Sequence, residues 1–311
     1  MNEKLTKHFA PGHSSCAGCG FPAVVRTILG EATTPIVVTN ATGCLEVTST
    51  IYPYSAWKVP YIHSAFENAA ATISGVERAY KALYKKGKIK DKIKFVVFGG
   101  DGGTYDIGLQ SLSGALERGH DFLYICYDNG GYMNTGNQRS SATPYGAATE
   151  TTPAGKESFG KMETRKNLME IVNAHRIAYL AQANVAYLAD LKNKAKKALA
   201  TEGPSFLNVF SPCQNNWKFP TSQYVNVAKL ASETNFWPLY EISAIGGSAY
   251  GGEKRKYKIT YEPGAPKPVS EFLKTQGRFK HLFSEKNKPV IDRIQKMVNE
   301  EFARIVSLTG E

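Results

Sequence analysis

Short apolar runs alternate with amphipathic segments from residue 21 to residue 210. The strongest runs, at 93–98, 122–127 and 205–210, are rich in β-branched and aromatic residues and have the length of a buried strand. Between the runs, apolar residues recur at the spacing of one helix face. Strands that alternate with helices in this way predict an α/β fold, with a parallel sheet and helices on both faces.

Glycine-rich segments follow two of the predicted strands. GGDGG (99–103) follows the first run, and DNGG (128–131) follows the second. Ligands of parallel sheets bind beyond the carboxyl ends of the strands. We therefore expect a ligand site where these segments meet. Residues 136–162, which are rich in Gly, Ser, Thr and Pro, are expected to form a long functional loop.

The alternating pattern weakens after Cys213. Residues 245–268 contain Gly-Gly, Pro-Gly and lysine runs, and a last helix is predicted from Pro289, a favourable first-turn residue, to Leu308. We therefore divide the chain into a ligand-binding domain, residues 1–240, and a C-terminal arm with a helix, residues 241–311. The arm is expected to pack on partner subunits.

The chain is basic, with 38 Lys and Arg residues, 27 Asp and Glu residues and a formal net charge of +11. Such an excess favours acidic partners. The basic residues cluster at 85–94, 192–197, 254–258 and 278–288. Each cluster is compatible with a solvated surface, and also with a docking site for an acidic electron carrier or a sister subunit. Their arrangement does not predict nucleic-acid binding.

The N-terminal segment, residues 1–13, is polar and lacks the apolar core of a signal peptide. No stretch approaches the roughly 18–20 apolar residues that a membrane span needs. We therefore expect a cytoplasmic protein without a membrane partner. In that compartment the five cysteines are expected to bind metal or act in catalysis rather than form disulfides.

Four of the five cysteines lie close to Gly or Pro. Cys16 and Cys19 form a C-x-x-C pair, while Cys44 and Cys213 stand alone. Four thiolates bind tetrahedral zinc or a [4Fe–4S] cluster, and one pair with two distant single cysteines is more usual for the cluster. Zinc and unrelated cysteines remain alternatives on spacing alone. Cys126 lies within an apolar strand and is expected to be a buried core residue.

Asp101 and Asn129 follow the two predicted strands. Glycines beside Asp101 permit close approach of an anion, and a helix N-terminus favours a phosphate. Mg²⁺ on a diphosphate needs hard oxygen ligands, which Asp101, Asn129 and a carbonyl near Gly131 are able to supply. A G-D-G alone often makes only a turn, and Asn129 strengthens the interpretation. A dinucleotide site is the rival, but no G-x-G-x-x-G follows the first strand.

These motifs and their flanks resemble the β subunit of the pyruvate:ferredoxin oxidoreductases, within the 2-oxoacid:ferredoxin oxidoreductase family. The matching stretches are CAGCG (16–20), ATGCLE (41–46), IYPY (51–54), GGDGGTYD (99–106), YDNGGYMNTGN (127–137) and SPC (211–213). The resemblance covers nearly the whole chain. It implies a parallel-sheet fold that binds thiamine diphosphate, Mg²⁺ and one [4Fe–4S] cluster within residues 1–240.

The resemblance also implies a role for individual residues. The cluster ligands would be Cys16, Cys19, Cys44 and Cys213, with Cys44 also beside the thiamine cofactor. The magnesium ligands would be Asp101, Asn129 and the Gly131 carbonyl. Gly100, Gly102 and Thr135 would contact the diphosphate, Asn134 would face the reacting carbonyl, and Phe66 would pack on the pyrimidine.

One position departs from the family pattern. Some relatives carry Glu two residues after the second cysteine of the pair, where this chain has Phe21. The glutamate that activates the cofactor belongs to a partner subunit in this family. Glu46 and Glu67 lie in suitable stretches but are not predicted to take that role.

The expected function is the oxidative decarboxylation of pyruvate, or the reverse synthesis, with coenzyme A and electron transfer through the cluster to ferredoxin. The partners would be the other subunits, which hold the remaining clusters. Three alternatives stay open. The same chemistry could act on oxalate, 2-oxoisovalerate or 2-oxoglutarate, or the chain could be a thiamine decarboxylase or synthase with structural zinc. A basic zinc-bearing nucleic-acid-binding protein would bind more weakly as salt rises.

Overall fold

The computed structural model describes residues 7–245 and 254–310. The described residues form one eight-stranded sheet in the order β2-β1-β3-β4-β6-β5-β7-β8. The strands are β1 (Ile36–Ala41), β2 (Tyr61–Ser64), β3 (Lys94–Gly100), β4 (Phe122–Asp128), β5 (Tyr179–Asn184), β6 (Ser205–Phe210), β7 (Leu239–Ala244) and β8 (Arg255–Tyr261). Strands β1 to β6 pair in parallel, and β7 and β8 add antiparallel strands at one edge.

Helices cover both faces of this sheet. They are α1 (Phe21–Leu29), α2 (Cys44–Ser49), α3 (Ala69–Lys85), α4 (Leu109–Glu117), α5 (Leu168–Asn173), α6 (Leu188–Ala200), α7 (Gln214–Trp217), α8 (Tyr224–Glu233), α9 (Val269–Lys274) and α10 (Lys288–Thr309). Short 3₁₀ turns occupy Thr221–Gln223, Gly277–Phe283 and Glu285–Asn287. The prediction of an α/β fold with a largely parallel sheet is confirmed.

Two apolar cores lie on opposite faces of the sheet. Val96 and Phe98 of β3 face the core that α1, α6, α8 and α9 cover, while Phe95 and Val97 face the core under α3, α4 and α5. Successive side chains of a strand point to opposite faces, so a strand buried on both sides must be apolar at nearly every position. This is why β3 and β4 are continuous apolar runs in the sequence.

The segment 40–62, whose sequence has no regular apolar spacing, contains α2 and leads into the edge strand β2. Both elements are short, and the threonines and prolines around them hide their periodicity. A second difference follows β3, where a π-helix, Gly102–Ile107, precedes α4. Single π-helical turns are rare and occur frequently at functional sites.

The region after residue 240 is more regular than its sequence indicates. The proposed domain boundary at residue 240 falls within β7, which pairs with β5, and β8 pairs with β7. Strand β8 carries three basic residues, Arg255, Lys256 and Lys258, and it is an edge strand, where charged residues are common in natural sheets. Helix α10 packs on β8 within the same chain. Contact of residues 241–311 with partner subunits stays a prediction.

No helix among the described residues is long and apolar enough to cross a membrane.

A buried carboxylate joins α3 to the start of β4. Glu77 is fully buried, forms an ion pair with Lys81 and lies 2.9 Å from His120 Nδ1. It also accepts the Asp121 N–H at 3.3 Å. Burial alone would raise the pKa of Glu77, but the hydrogen bonds from Lys81 and His120 outweigh burial and lower it. The ionised form is therefore favoured in the folded protein.

We expect Glu77→Gln to lower the free energy of unfolding at pH 7 by about 1–3 kcal/mol, because it removes charged hydrogen bonds from a buried group. A lowered pKa in the folded state stabilises above the ordinary glutamate pKa of about 4.3, and this contribution disappears as the pH falls. Urea denaturation should therefore show the full difference above about pH 5, and the difference should shrink as the pH falls below about 4.3. Glu117→Gln, on the exposed surface of α4, is the control.

Candidate functional site

Four neighbouring strands end at the same edge of the sheet. Strands β1, β3, β4 and β6 are adjacent, and their parallel register pairs Gly100 with Tyr127 and Asp128 with Phe210. The residues that follow these strands must therefore meet beyond one edge. They include Cys44 after β1, Asp101 after β3, Asn129 after β4 and Cys213 after β6, four of the predicted site residues.

A cavity of about 200 Å³, here called the Asp101 cavity, lies at this edge. It is lined by all nine residues that were predicted to face the thiamine cofactor: Cys44, Phe66, Gly100, Asp101, Gly102, Asn129, Gly131, Asn134 and Thr135. Six further residues that line the cavity were not predicted from the sequence: Thr42, Gly43, Gly103, Tyr127, Tyr132 and Met133. All six flank predicted residues in the chain, which is the signal that would have found them.

Three groups with oxygen atoms converge in the Asp101 cavity. The side-chain N–H group of Asn129 donates to Asp101 Oδ1 and to the Gly131 carbonyl oxygen, each at 2.9 Å. Rotation of the amide by 180° would turn its oxygen toward a cation bound beside these two oxygens. Carboxylate, amide and carbonyl oxygens are hard ligands of the kind that Mg²⁺ prefers. The three predicted magnesium ligands therefore fit the ion.

Burial and the charge of Asp128 raise the pKa of Asp101, although hydrogen bonds to its carboxylate oppose them. The Ser140 hydroxyl donates to Asp101 Oδ2 at 2.5 Å, and the Asn129 backbone N–H donates to Oδ1 at 3.3 Å. Asp128 is neutralised separately, because Arg165 forms an ion pair with it. None of the described residues forms an ion pair with Asp101, so a metal ion in the cavity would stabilise its ionised form.

The glycines around Asp101 let aromatic rings approach the backbone. A Cβ on Gly102 would lie only 2.4 Å from the Tyr132 ring, so no larger residue fits. Tyr127 is buried, and its hydroxyl has no hydrogen-bond partner among the described residues. Buried polar groups are normally paired, so an unpaired hydroxyl on the cavity wall fits a polar ligand in this cavity.

A second cavity of about 230 Å³, here called the cysteine cavity, adjoins the first. All four predicted cluster ligands, Cys16, Cys19, Cys44 and Cys213, line it. The two cavities share a wall made of Cys44, Asn129, Met133 and Asn134. Cys126 lies outside both cavities and is fully buried in β4, as expected.

The four thiols are spread around the cysteine cavity. In the described part of the chain, no three His, Cys, Asp or Glu side chains converge closely enough to hold a single metal ion. Burial, with repulsion from neighbouring thiolates, raises the pKa of Cys19 and of Cys44 to about 12. Binding of a metal group here would release protons, because thiolates are the ligands.

Trp217 connects the walls of the two cavities. Its backbone N–H donates to the Cys213 carbonyl at 2.9 Å, and its indole N–H donates to the Asn129 carbonyl at 2.8 Å. Two neighbours on α7 extend the connection, since Gln214 donates to the Ala17 carbonyl and Asn216 donates to the Met133 carbonyl. These bonds hold the segment after Cys213 against both the C-x-x-C loop and the loop after β4.

Phe21, which stands where some relatives carry Glu, lies close to both cavities. Phe21 lines the cysteine cavity and packs on Tyr127, with the ring centroids 4.4 Å apart. Glu46 and Glu67 line neither cavity. Glu46 accepts the Thr50 hydroxyl at 2.8 Å, and Glu67 is exposed. Neither glutamate is placed to act on a group in the Asp101 cavity.

A larger cavity of about 420 Å³ lies between α10 and the sheet, with Trp237, Met297 and Ile305 among its walls. None of the predicted site residues lines it. Chemistry is therefore assigned to the two smaller cavities, where the predicted residues converge.

The family described as "Thiamine pyrophosphate enzyme, C-terminal TPP binding domain" matches residues 41–209. The chain is 52% identical over 303 residues to "Pyruvate synthase subunit PorB" of Thermotoga maritima, covering 96% of this chain and 90% of the relative. It is 51% identical to the subunit of that name from Methanocaldococcus jannaschii, covering 95% of each chain. It is 45% identical to "Ketoisovalerate oxidoreductase subunit VorB" of Pyrococcus abyssi, covering 97% and 93%.

One solved structure shares the fold. It is a 2-oxoglutarate:ferredoxin oxidoreductase from Magnetococcus marinus with 2-oxoglutarate, coenzyme A and succinyl-CoA bound. The TM-score is 0.57 at 21% identity, over 93% of this chain and 95% of the other. Since the thiamine-binding family spans both strand ends of the Asp101 cavity and the relatives match over nearly the full length, the chain belongs to the family of pyruvate synthase PorB subunits and related 2-oxoacid oxidoreductase subunits.

Proposed function

We propose that this chain is the β subunit of a pyruvate:ferredoxin oxidoreductase and holds thiamine diphosphate, Mg²⁺ and one [4Fe–4S] cluster. The reaction would be the oxidative decarboxylation of pyruvate, or the reverse synthesis, with coenzyme A and ferredoxin. The observation that carries the proposal is the wall shared by the Asp101 cavity and the cysteine cavity. A cofactor in the first cavity and an electron acceptor in the second would be neighbours.

Asp101, Asn129 and the Gly131 carbonyl would hold Mg²⁺. The Asn129 amide already bridges the Asp101 carboxylate and the Gly131 carbonyl at 2.9 Å, so one cation could bind all three groups once the amide turns its oxygen inward. Gly100 and Gly102 would let the diphosphate approach the backbone, where the N–H groups at the start of the π-helix favour an anion. Thr135, whose hydroxyl now donates to Gln138 at 2.5 Å, would turn toward the diphosphate.

Asn134 lies in the shared wall and is exposed, so its amide is available to a substrate carbonyl. Phe66, which packs 5.6 Å from the Tyr132 ring, would support the pyrimidine. When bound, thiamine supplies the electron sink for decarboxylation, and the iron–sulfur cluster accepts electrons one at a time. The residues of this chain bind and orient these groups.

The four thiols of Cys16, Cys19, Cys44 and Cys213 would hold the cluster as thiolates. Tetrahedral zinc requires four sulfurs about 2.3 Å from one point, hence about 3.8 Å from one another. Thiols spread around a 230 Å³ cavity suit a larger group better. This favours the cluster over a structural zinc, and so favours an electron-transferring enzyme over a thiamine decarboxylase or synthase.

Partner subunits would complete the site. Neither Glu46 nor Glu67 lines the Asp101 cavity, so the activating glutamate would come from another chain. Tyr52 is 93% exposed and Tyr54 77% exposed beside α2, which supports a protein contact near the cofactor. The excess positive charge would attract an acidic ferredoxin. Five free cysteines and no disulfide among the described residues accord with action in the cytoplasm.

Pyruvate is the proposed substrate because two of the three relatives named above are pyruvate synthase subunits. The ketoisovalerate relative supports 2-oxoisovalerate as the second candidate. 2-Oxoglutarate and oxalate remain candidates of the same chemical class. A zinc-bearing nucleic-acid-binding protein would leave the three converging groups of the Asp101 cavity without a purpose.

We expect Ser substitution of Cys16, Cys19, Cys44 or Cys213 to lower bound iron and sulfide to well below the content of the anaerobically purified wild type. Each substitution removes one of four ligands, and the oxygen of serine binds iron less well than a thiolate. Cys126→Ala is the control and should retain its iron, because Cys126 lies outside the cysteine cavity. One zinc and no iron per chain would contradict the cluster.

We expect Asp101→Asn to weaken Mg²⁺-dependent binding of thiamine diphosphate by at least about tenfold to 100-fold, the range that supporting metal-site residues alone contribute. Titration of tryptophan fluorescence with the cofactor measures the affinity. Asp121→Asn, at the opposite end of β4 where Asp121 pairs with Lys94, should bind as the wild type does. Unchanged affinity in Asp101→Asn would rule out the proposed magnesium site.

The overall function is tested with the anaerobic complex of this chain and its partner subunits. Visible absorbance and low-temperature EPR spectra are recorded before and after adding pyruvate, thiamine diphosphate and coenzyme A. We expect the absorbance to bleach and a reduced-cluster signal to appear with pyruvate. Reduction only by 2-oxoisovalerate, 2-oxoglutarate or oxalate would keep the chemistry and change the substrate. A colourless zinc protein would refute electron transfer.

A further inference from the structure

Arg278 is a buried cation without a carboxylate partner. Arg278 is only 4% exposed. Its Nε donates to the side-chain oxygen of Gln276, a neutral amide, at 2.8 Å. No carboxylate of the described residues forms an ion pair with it. Burying an unpaired charge is costly, and such charges are normally paired or close to a metal group. The position of Arg278 therefore requires an explanation.

The guanidinium of Arg278 lines neither small cavity and packs on Trp217, the residue that joins their walls. Its central carbon is 3.5 Å from the centroid of the Trp217 ring, and Trp217 donates its backbone N–H to the Cys213 carbonyl. On the other side, Nη1 would lie 3.0 Å from a Cβ built on Gly130, in the loop that leads from Asn129 to Gly131. The charge is thus held beside the segment that carries a predicted cluster ligand.

The surrounding charges do not neutralise Arg278. Asp128 forms its ion pair with Arg165. Burial, together with repulsion from Arg165, lowers the pKa of Arg278 to about 9. Asp128, Cys213 and Asp101 act in the opposite direction. Anionic groups in the two cavities would therefore favour the charged guanidinium, and the guanidinium would favour those anions.

We infer that Arg278 compensates the negative charge of the group bound by the four cysteines and raises its reduction potential. This inference rests on the proposed function. When reduced, the cluster would accept one electron, from the substrate bound at the thiamine cofactor or from dithionite, and would pass it to ferredoxin before accepting the second. Because each electron adds negative charge, a nearby cation in a region of low dielectric stabilises the reduced form. Arg278 is a positioning residue for charge and touches no reacting atom.

The test is an EPR-monitored redox titration of the full chain carrying its reconstituted cluster, with dithionite as reductant under anaerobic conditions. We expect Arg278→Met and Arg278→Gln to lower the ratio of reduced to oxidised cluster about tenfold at a fixed potential, a shift of 59 mV for a one-electron couple. Arg278→Lys keeps the charge and loses the planar stack on Trp217, so it should stay closer to the wild type.

Arg293→Met is the matched control. Arg293 also stacks on an aromatic ring, 4.6 Å from the centroid of Tyr145, but it is exposed, whereas Arg278 is buried against Trp217, which lies in the segment that follows Cys213. Its removal should leave the potential unchanged. Iron loss in both uncharged Arg278 variants, with retention in Arg278→Lys, would also support charge compensation. Equal iron and an unchanged potential in Arg278→Met and Arg278→Gln would overturn the inference. Absence of iron from the wild type would instead refute the cluster itself.

Discussion

The parallel register of β1, β3, β4 and β6 is the constraint on which the site depends. Parallel strands begin and end together, so the segments after these four neighbours are delivered to one edge of the sheet. This edge therefore brings together four residues that are far apart in the chain: Cys44, Asp101, Asn129 and Cys213. The C-x-x-C loop immediately precedes α1, and α1 packs on one face of this sheet. The loop therefore also lies at this edge. Both cavities follow from this arrangement of backbone.

The charged side chains at this edge of the sheet do not all pair with one another. Asp128 and Arg165 neutralise each other, whereas Asp101 accepts hydrogen bonds only from neutral groups among the described residues and Arg278 faces an indole ring. The Asp101 carboxylate therefore favours a cation, and the Arg278 guanidinium favours an anion. Magnesium beside the first and an anionic cluster near the second would satisfy both. Trp217 would hold the magnesium site and the cluster site at a fixed distance from each other, because it is hydrogen-bonded to the loops that carry Asn129 and Cys213.

Agreement between sequence and structure is best in the buried central strands. Strands β3, β4 and β6 were predicted almost to the residue, because strands buried on both faces are continuous apolar runs. The unpredicted elements are α2, α7, α8, α9, β2, β7 and β8. Of these, α2, α7 and β2 are short and β8 lies at a sheet edge, where solvent permits polar side chains. The π-helix after Asp101 was missed because no local pattern distinguishes it from an ordinary helix start.

The sequence by itself determined the α/β class, the glycines beside Asp101, and the four cysteines that stand apart from Cys126. These properties are local, since they depend on residue type and on spacing over a few turns or strands. Only the tertiary structure decided that two cavities share a wall, that Arg165 is paired with Asp128, and that Arg278 lies against Trp217. Those contacts join residues separated by dozens to hundreds of positions, and packing in three dimensions, which no local pattern encodes, brings them together.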